Sequence, residues 1–423
     1  MSGCRVLLVF ALLGATVLFA APSALAISKN DAGLDALRGR DPASAVLAFE
    51  SALQAAPDSV VVSRNLAAAL SQLADLLRER KDSAADPRAD QVVLLLDRAI
   101  ELHPERIAYR VQRGRARYEQ QSDTDRLFAR EDFEWVLERE PNHLAARVNL
   151  GQVAYDERVL SEAVEHWSRA AHLRPSDPDI ANRLERARRE LAVESSFEEI
   201  PSPEFLVRFG KSIPFADASS VAAACQEAYS VLCRRFGHFP GSRTVVTIYT
   251  PKEFRAATRL HHWVAGVNDG TIRVALPSGP NRLAAARRTI HHEFAHQLIR
   301  GIAPNTPGWL HEGLAQLAEG KDVAPAEDRL RRGRSAKAGD LSGEVLRQPD
   351  PRRVSRFYDL ALAFTAFLTA EGGEAGILKL LHALAEAKAG TRSSESETAA
   401  LRAVFGAGRS ELFARWQARL KSR

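Results

Sequence analysis

Three residues near the middle of the chain have the types and spacing of a metal site. The stretch from Thr289 to Leu298 reads T-I-H-H-E-F-A-H-Q-L and contains the pattern H-E-x-x-H, with His292, Glu293 and His296. Residues four apart on an α-helix project from one face, so both imidazoles can bind one metal ion. Zinc lowers the pKa of a bound water to about 7, and Glu293 is placed to take the proton of that water. The pattern predicts a zinc site with a general base.

The sequence around this pattern favours a buried helix. Between positions 282 and 300 there is no Gly or Pro, Asn281 is a plausible N-cap, and Gly301 is a natural stop. From 289 to 298 only Glu293 carries a charge, which suits a helix that surrounds a metal ion. The pattern is short enough to occur by chance, so a third ligand in a second segment is needed to support it.

A second segment supplies that ligand. Residues 307–315 read P-G-W-L-H-E-G-L-A, and Glu312 follows His296 by 16 positions. A catalytic zinc usually has three protein ligands and one open position, and two His with one Glu are a standard set. His311, beside Glu312, could replace it only if the helix were rotated.

The two motifs together resemble those of the gluzincin metallopeptidases, and look most like the bacterial peptidase MA-like group. The resemblance implies that Glu312, in W-L-x-E-G, is the third zinc ligand and that the protein hydrolyses peptide bonds. It implies that Glu293 is the general base and then the proton donor to the leaving amine. It also implies a downstream Tyr or His that stabilises the oxyanion. Tyr358 is the best-placed candidate, with packing at the start of an amphipathic helix as the alternative.

One position departs from the pattern of the relatives. In thermolysin-like relatives an acidic residue four positions after the ligand Glu orients the first His, whereas this chain has Gln316. Gln can still accept a hydrogen bond, but it gives less charge to the imidazole. Glu319, about two turns beyond Glu312 on a similar face, is a further candidate for supporting the site.

The N-terminus is typical of a secretory signal peptide over residues 1–26. Arg5 gives a minimal positive region, an apolar stretch runs from Val6 to Ala21, and Ala24-Leu25-Ala26 supplies an A-x-A cleavage site. We therefore expect a periplasmic or secreted protein. The alternative is an uncleaved signal that anchors the protein in a membrane. The apolar run is, however, short for spanning a bilayer.

Composition narrows the remaining classes of function. The chain has 423 residues, which predicts two or three domains, and a net charge of +5. Dense basic runs are limited to residues 328–334, so no nucleic-acid partner is expected. Cys225 and Cys233 lie eight apart in a predicted helix, too far for a disulfide within it, and are expected to be buried free thiols.

The first part of the chain contains an internal repeat. Gly33 and Pro57 are 24 positions apart, as are Gly151 and Pro175. A third copy has a short insertion, and a second, weaker copy has two helices separated by a polar loop at 81–88. Between these markers recur the pairs Ala45-x-x-x-Phe49, Ala129-x-x-x-Phe133 and Ala163-x-x-x-Trp167. The spacing resembles the 34-residue tetratricopeptide repeat (TPR), which implies a helical solenoid that binds a protein partner; a plain helical bundle is the alternative.

The second part changes to alternating strands. Residues 205–209 and 244–249 are predicted strands, and Asn268-Asp269-Gly270 is a hairpin turn before a third strand at 271–276. This order is similar to a gluzincin N-terminal lobe, and the resemblance implies that 271–276 is the edge strand that pairs with extended substrate. Residues 321–352 are predicted to be a loop, and helices follow to the C-terminus.

Together these features predict an all-α TPR solenoid at 27–195, a linker at 196–203 and an α+β zincin-like metallopeptidase domain at 204–423. The expected function is a zinc-dependent peptidase that binds one Zn²⁺ ion and acts on a peptide or protein substrate. The alternative is a catalytically inactive TPR scaffold with a vestigial or structural zinc site.

Overall fold

The computed structural model describes residues 23–79, 88–120, 122–260, 266–334, 336–342, 350–386 and 393–422. Most of the expected signal peptide, residues 1–22, lies outside the described residues, as does most of the polar loop expected at 81–88. The chain divides into two compact units, Met1–Leu76 with Leu94–Tyr109, and Leu77–Val93 with Arg110–Arg423.

The described residues up to 194 form a series of helices joined by short turns. They are α1 (Ala24–Arg38), α2 (Pro42–Ala55), α3 (Val60–Glu79), α4 (Arg88–Leu102), α5 (Ile107–Tyr118), α6 (Asp123–Arg139), α7 (Leu144–Asp156), α8 (Leu160–Leu173) and α9 (Pro178–Glu194). Side chains of Ser23, Asp41, Ser122 and Asp177 accept hydrogen bonds at the N-termini of α1, α2, α6 and α9. Helix α9 follows the last repeat pair and is rich in charged residues, which is typical of the capping helix of a solenoid.

Close contact between a glycine and an aromatic ring recurs in the helix pairs. A Cβ added at Gly33 would lie 2.6 Å from the ring of Phe49, and one added at Gly151 would lie 2.5 Å from Trp167 Nε1. Gly114 is in the same relation to Phe133, at 2.8 Å. Each glycine lets its helix approach the next one until the aromatic fills the space between them. A TPR-like helical repeat is therefore confirmed.

Helix α3 is, among the described residues, long and apolar enough to span a membrane by length and composition alone. In the structure Leu66, Ala67 and Leu70 of this helix are buried in one core with Phe49 and Ile100. Packing in the repeat accounts for the burial of these three residues.

The rest of the chain surrounds a five-stranded mixed sheet. Its strands are β1 (Glu198–Pro201), β2 (Phe205–Phe209), β3 (Thr244–Tyr249), β4 (Gly266–Asn268) and β5 (Ile272–Ala275), in the order β1-β2-β3-β5-β4. The pairs β2/β3 and β3/β5 are parallel, whereas β1/β2 and β4/β5 are antiparallel. The sequence predicted a linker at 196–203, but Glu198–Pro201 pairs with β2, which supplies the hydrogen-bond partners that a linker would lack.

The position of the edge strand also differs from the prediction. Strand β5 coincides with the predicted strand at 271–276, but it pairs with β3 on one side and β4 on the other. Its backbone groups are therefore already used for ladder hydrogen bonds. Among the described residues the sheet ends at β4, so β4 replaces 271–276 as the candidate for pairing with an extended peptide.

Helices pack on this sheet and extend beyond it. They are α10 (Phe215–Ala228), a π-helical turn (Tyr229–Cys233), α11 (Arg234–Phe236), α12 (Pro251–Thr258), α13 (Arg282–Ile302), α14 (Gly308–Ala318), α15 (Ala324–Arg332), a 3₁₀ turn (Ala338–Leu341), α16 (Pro351–Ala385), α17 (Ser393–Phe405) and α18 (Arg409–Ser422). Cys225 and Cys233 are free and buried, as expected. The predicted loop at 321–352 contains α15, whose Ala326 and Leu330 are buried.

Gly301 acts differently from the sequence-based expectation, and Gly373 redirects a later helix. Helix α13 continues through Gly301 to Ile302, and Gly301 instead gives room to His238, whose Nε2 would lie 2.4 Å from an added Cβ. Helix α16 changes direction at Gly373, where φ is 64°, a left-handed value that favours glycine. Helices α13 and α14 carry the predicted metal ligands and are regular along these residues.

Candidate metal centre

Helices α13 and α14 bring the three predicted ligands together. The Nε2 atoms of His292 and His296 are 3.1 Å apart. Oε2 of Glu312 lies 3.5 Å from Nε2 of His292 and 3.7 Å from Nε2 of His296. All three side chains are largely buried, with 11–17% of each exposed. The helical spacing of four places both imidazoles on one face, and α14 presents the carboxylate across from them.

These separations fit one tetrahedral zinc ion. Ligand bonds of 2.0–2.1 Å at tetrahedral angles place ligand atoms about 3.3 Å apart, close to the three observed distances. Oε2 of Glu312 is buried and makes no hydrogen bond, although it faces two imidazole nitrogens. The ligand atoms of His292, His296 and Glu312 all lie within 4.8 Å of one another, close enough to hold one metal ion. The donor set of two nitrogens and one oxygen suits a catalytic zinc with one open position.

The outer nitrogen of each imidazole has its own neighbour. Nδ1 of His292 lies 3.6 Å from Oε2 of Glu319, and Nδ1 of His296 lies 2.5 Å from Nδ1 of His311. His311 thus contacts His296 from outside the ligand set, whereas Glu319 faces His292 without a hydrogen bond, since Nδ1 of His292 is buried and has no hydrogen-bond partner among the described residues. His311 does not take the position of Glu312, because it contacts the nitrogen of His296 that faces away from the carboxylate.

Gln316 does not occupy the orienting position that the family pattern suggests. Its Nε2 donates to the carbonyl of Tyr358 at 3.0 Å, and its Oε1 accepts from Lys321 Nζ at 2.8 Å. Gln316 thus joins α14 to α16, and the carboxylate near His292 comes from Glu319, which directly follows α14.

Burial and neighbouring cations keep two of the imidazoles neutral. Burial, followed by the charges of His292 and His311, lowers the pKa of His296 to about 2. Burial and the charge of Arg300 lower the pKa of His311 to about 4. Burial also opposes the charged form of His292, but Glu312 and then other carboxylates raise its pKa overall. A neutral imidazole is the form that binds a metal ion.

Glu293, the acidic residue of the H-E-x-x-H motif, lies beside strand β4. Burial raises its pKa to about 7, with the charge of Glu312 adding to the effect and that of His292 opposing it. A Cβ added at Gly266 would lie 3.2 Å from Oε1 of Glu293, so the glycine leaves room for this carboxyl group. Asn268 Nδ2 donates to the backbone carbonyl of Glu293 at 3.0 Å, and Arg300 Nη2 donates to the carbonyl of Asn268, also at 3.0 Å. The edge strand is thereby fixed along the helix that carries Glu293.

Tyr358, on α16, belongs to the same electrostatic environment. Burial, and then the negative charges of Glu312, Glu293 and Glu319, raise the pKa of its hydroxyl well above its ordinary value. The hydroxyl therefore stays protonated and can donate a hydrogen bond. Sequence reasoning assigned no role in the site to Gly266 or Asn268, and it did not predict the contact of His311 with His296. Two signals were available in the sequence. One is a glycine two positions before the predicted turn at 268–270, and the other is the histidine beside Glu312.

No protein-family model and no curated protein matches the chain. Among solved structures, MamA (41-end) from Desulfovibrio magneticus RS-1 is similar at 17% identity and a TM-score of 0.32, over 40% of this chain and 86% of that one. MamA AMB-1 is 18% identical with a TM-score of 0.31, over 40% of this chain and 91% of that one. A thermophilic TPR protein in Thermus thermophilus is 18% identical with a TM-score of 0.23, over 38% of this chain and 98% of that one.

Proposed function

We propose that this protein is a zinc-dependent peptidase of the gluzincin type that acts in the periplasm or outside the cell. The observation that carries the proposal is the convergence of His292, His296 and Glu312, whose facing ligand atoms are separated by 3.1–3.7 Å. A buried base, Glu293, adjoins this set, and a protonated hydroxyl, Tyr358, shares its electrostatic environment. A purely structural zinc site has four closed ligands and needs neither of these additional groups.

The ligand set and the base have separate roles in this proposal. His292, His296 and Glu312 would hold Zn²⁺, which supplies a Lewis acid for a peptide carbonyl and lowers the pKa of a bound water. Glu293 would accept a proton from the attacking water and later donate it to the leaving amine. Burial raises the pKa of Glu293 and the charge of a bound Zn²⁺ would oppose that rise, so that the group can take up and release a proton near neutral pH.

The substrate would lie along strand β4. A peptide that adds to an edge strand gains backbone hydrogen bonds irrespective of its side chains, and β4 already runs beside Glu293. Tyr358 would donate its hydroxyl hydrogen to the carbonyl oxygen as negative charge develops there. This arrangement favours an extended or unfolded segment as the substrate.

A second candidate function is a scaffold in which the helical repeats are the working part. The observation that favours it is the recurring contact of a glycine with an aromatic ring in the helix pairs, which supports a TPR-like array, and such arrays bind protein partners. In this alternative the zinc site would be vestigial or structural. The two candidates differ in what they require of Glu293, because a scaffold has no use for a base that does not bind the metal.

The test compares the wild type with Glu293→Gln and His296→Ala. We would measure zinc per chain in the purified proteins and the cleavage of an unfolded, fluorescently labelled protein. The proposal expects one zinc per wild-type chain, zinc with no cleavage in Glu293→Gln, and loss of both in His296→Ala. Cleavage that persists in Glu293→Gln would refute the mechanism, and a zinc-loaded wild type without cleavage of any peptide would favour the scaffold.

A further inference from the structure

A buried cluster of charged residues joins the last repeat helices to the sheet. We call it the junction cluster, and it consists of Arg158, Glu190, Glu194, Arg208 and Arg273. At most 8% of any of these side chains is exposed. Helix α9 provides both carboxylates, whereas Arg208 lies on β2 and Arg273 on β5. All these residues belong to one compact unit.

The contacts within the junction cluster are short and numerous. Arg158 binds Glu190 at 2.8 Å and Glu194 at 2.6 Å. Nη2 of Arg273 lies 3.1 Å from Glu190 and also 3.1 Å from the hydroxyl of Tyr155. Nη1 of Arg208 binds Glu194 at 2.5 Å. Because each charge is held by at least one opposite charge, α9 and the sheet are fixed to each other at this point.

At the rim of the cluster, α9 also holds the turn between β4 and β5. Asp269, at this turn, forms an ion pair with Arg186 of α9, and its Oδ1 lies 3.3 Å from Nε of Arg273. The next residue towards the site, Asn268, is bound to α13 through the carbonyl of Glu293 and through Arg300. The β4–β5 hairpin is therefore held by the repeats on one side and by the helix of the base on the other.

We infer that helix α9 sets the position of the edge strand β4 relative to Glu293, with Arg186 and Asp269 as positioning residues. The inference rests on the proposed function, since it assigns the strand to substrate. It makes the last repeat helix a structural part of the active site. Arg186 and Asp269 are 38% and 32% exposed. Each also contacts one buried charge of the junction cluster, Arg186 that of Glu190 and Asp269 that of Arg273. Neutralising either one strands neither buried charge, because Glu190 keeps Arg158 and Arg273 keeps Glu190.

The experiment is a double-mutant cycle of Arg186→Gln and Asp269→Asn. Asparagine is as compatible as aspartate with the turn before Gly270, so Asp269→Asn removes the charge and preserves the turn. Arg186→Lys keeps the cation and serves as the conservative variant. Arg183→Gln is the matched control, because Arg183 lies on the same helix and contacts Gln152 instead of the hairpin. Amide hydrogen exchange of residues 266–268 and kcat/KM would be measured, with zinc content as the check of the metal site.

We expect each single variant to increase exchange at 266–268 and to lower kcat/KM by about two- to five-fold, as for a partly exposed ion pair. The effect of the double variant should be clearly smaller than the sum of the two single effects, because the ion pair is lost in each, and Arg186→Lys and Arg183→Gln should resemble the wild type. Additive effects, or exchange at 266–268 equal to that of the wild type, would overturn the inference. Hydrogen exchange gives this result even if the wild type cleaves no peptide, so failure of the proposed function would be seen separately.

Discussion

Oε2 of Glu319 lies 3.6 Å from Nδ1 of His292, while Nε2 of the same ring faces Glu312 at 3.5 Å. The imidazole thus lies between two carboxylates, one on the metal side and one behind it. A carboxylate behind a metal-binding histidine fixes the ring orientation and makes the coordinating nitrogen more basic. In this chain the residue at that position is Glu319 and not residue 316.

Glu319→Gln is expected to weaken zinc binding by about 10- to 100-fold, the usual cost of losing such a partner. The remaining amide can still orient the ring but no longer raises its basicity. Competition with a chromogenic chelator measures the affinity. Asp322→Asn removes a nearby exposed carboxylate and serves as the control, with unchanged affinity. Equal affinities of Glu319→Gln and the wild type would show that this carboxylate does not support the site.

Gly266→Ala is expected to slow hydrolysis without loss of zinc. The added Cβ would lie 2.4 Å from Cγ2 of Thr289 and 3.2 Å from Cγ of Glu293, so β4 or the base must move. Such a displacement commonly costs on the order of 10- to 100-fold in kcat. Thr289→Ser removes the methyl group that is contacted most closely and should restore part of the rate in the double variant.

The control for this series is Gly339→Ala, because a Cβ at that glycine meets no atom within 4 Å. Its rate should equal that of the wild type. Full activity of Gly266→Ala would mean that the approach of β4 to Glu293 has no part in catalysis.

Tyr358→Phe separates catalysis from packing. If the hydroxyl stabilises the developing oxyanion, its loss should lower kcat by about 10²- to 10³-fold with little change in KM. The ring remains and continues to fill its partly buried place beside Phe357, so zinc content and unfolding midpoint should stay the same. A Tyr358→Phe variant with normal kcat would indicate that the side chain only packs.

Local sequence patterns account for the parts of the molecule that were predicted well. The four-residue spacing of His292 and His296 fixes their common face through helical geometry alone. The recurring Gly and aromatic pairs, such as Gly151 with Trp167, are also set by the pairing of neighbouring helices. In these cases the interacting residues lie within about 20 positions of each other, so their spacing carries the information.

Long-range pairing accounts for the parts that were not predicted. Arg273 is 118 positions from Tyr155, and nothing in either local segment indicates that the two hydrogen bond. The strand at Glu198–Pro201 was predicted to be part of a linker. Three of its four residues are exposed, so its sequence lacks the apolar residues that indicate a buried strand. Which strand forms the edge depends on the order of the whole sheet, which the alternation within a single strand cannot specify.

Glu190 connects the junction cluster to the pH dependence of stability. Although burial opposes ionisation, the charges of Arg273 and Arg158 lower its pKa from 4.5 to about 2. A folded-state pKa below the unfolded value means that the carboxylate stabilises the fold fully above pH 4.5. This contribution is lost as the pH falls from 4.5 towards 2. Glu190→Gln should therefore be less stable than the wild type by about 3–5 kcal/mol near pH 7, the cost of breaking a buried ion pair.

Urea unfolding at a series of pH values measures this difference. The gap between the wild type and Glu190→Gln should shrink steadily below pH 4.5, because the protonated wild-type side chain then resembles the amide. Glu185→Gln is the control on the same helix, since Glu185 is 53% exposed and its ion pairs lie at the surface. It should change stability by less than about 1 kcal/mol at any pH. A gap that stays constant down to pH 2 would mean that the pKa of Glu190 is the same in the folded and unfolded protein, so that its ion pairs with Arg273 and Arg158 add no stability.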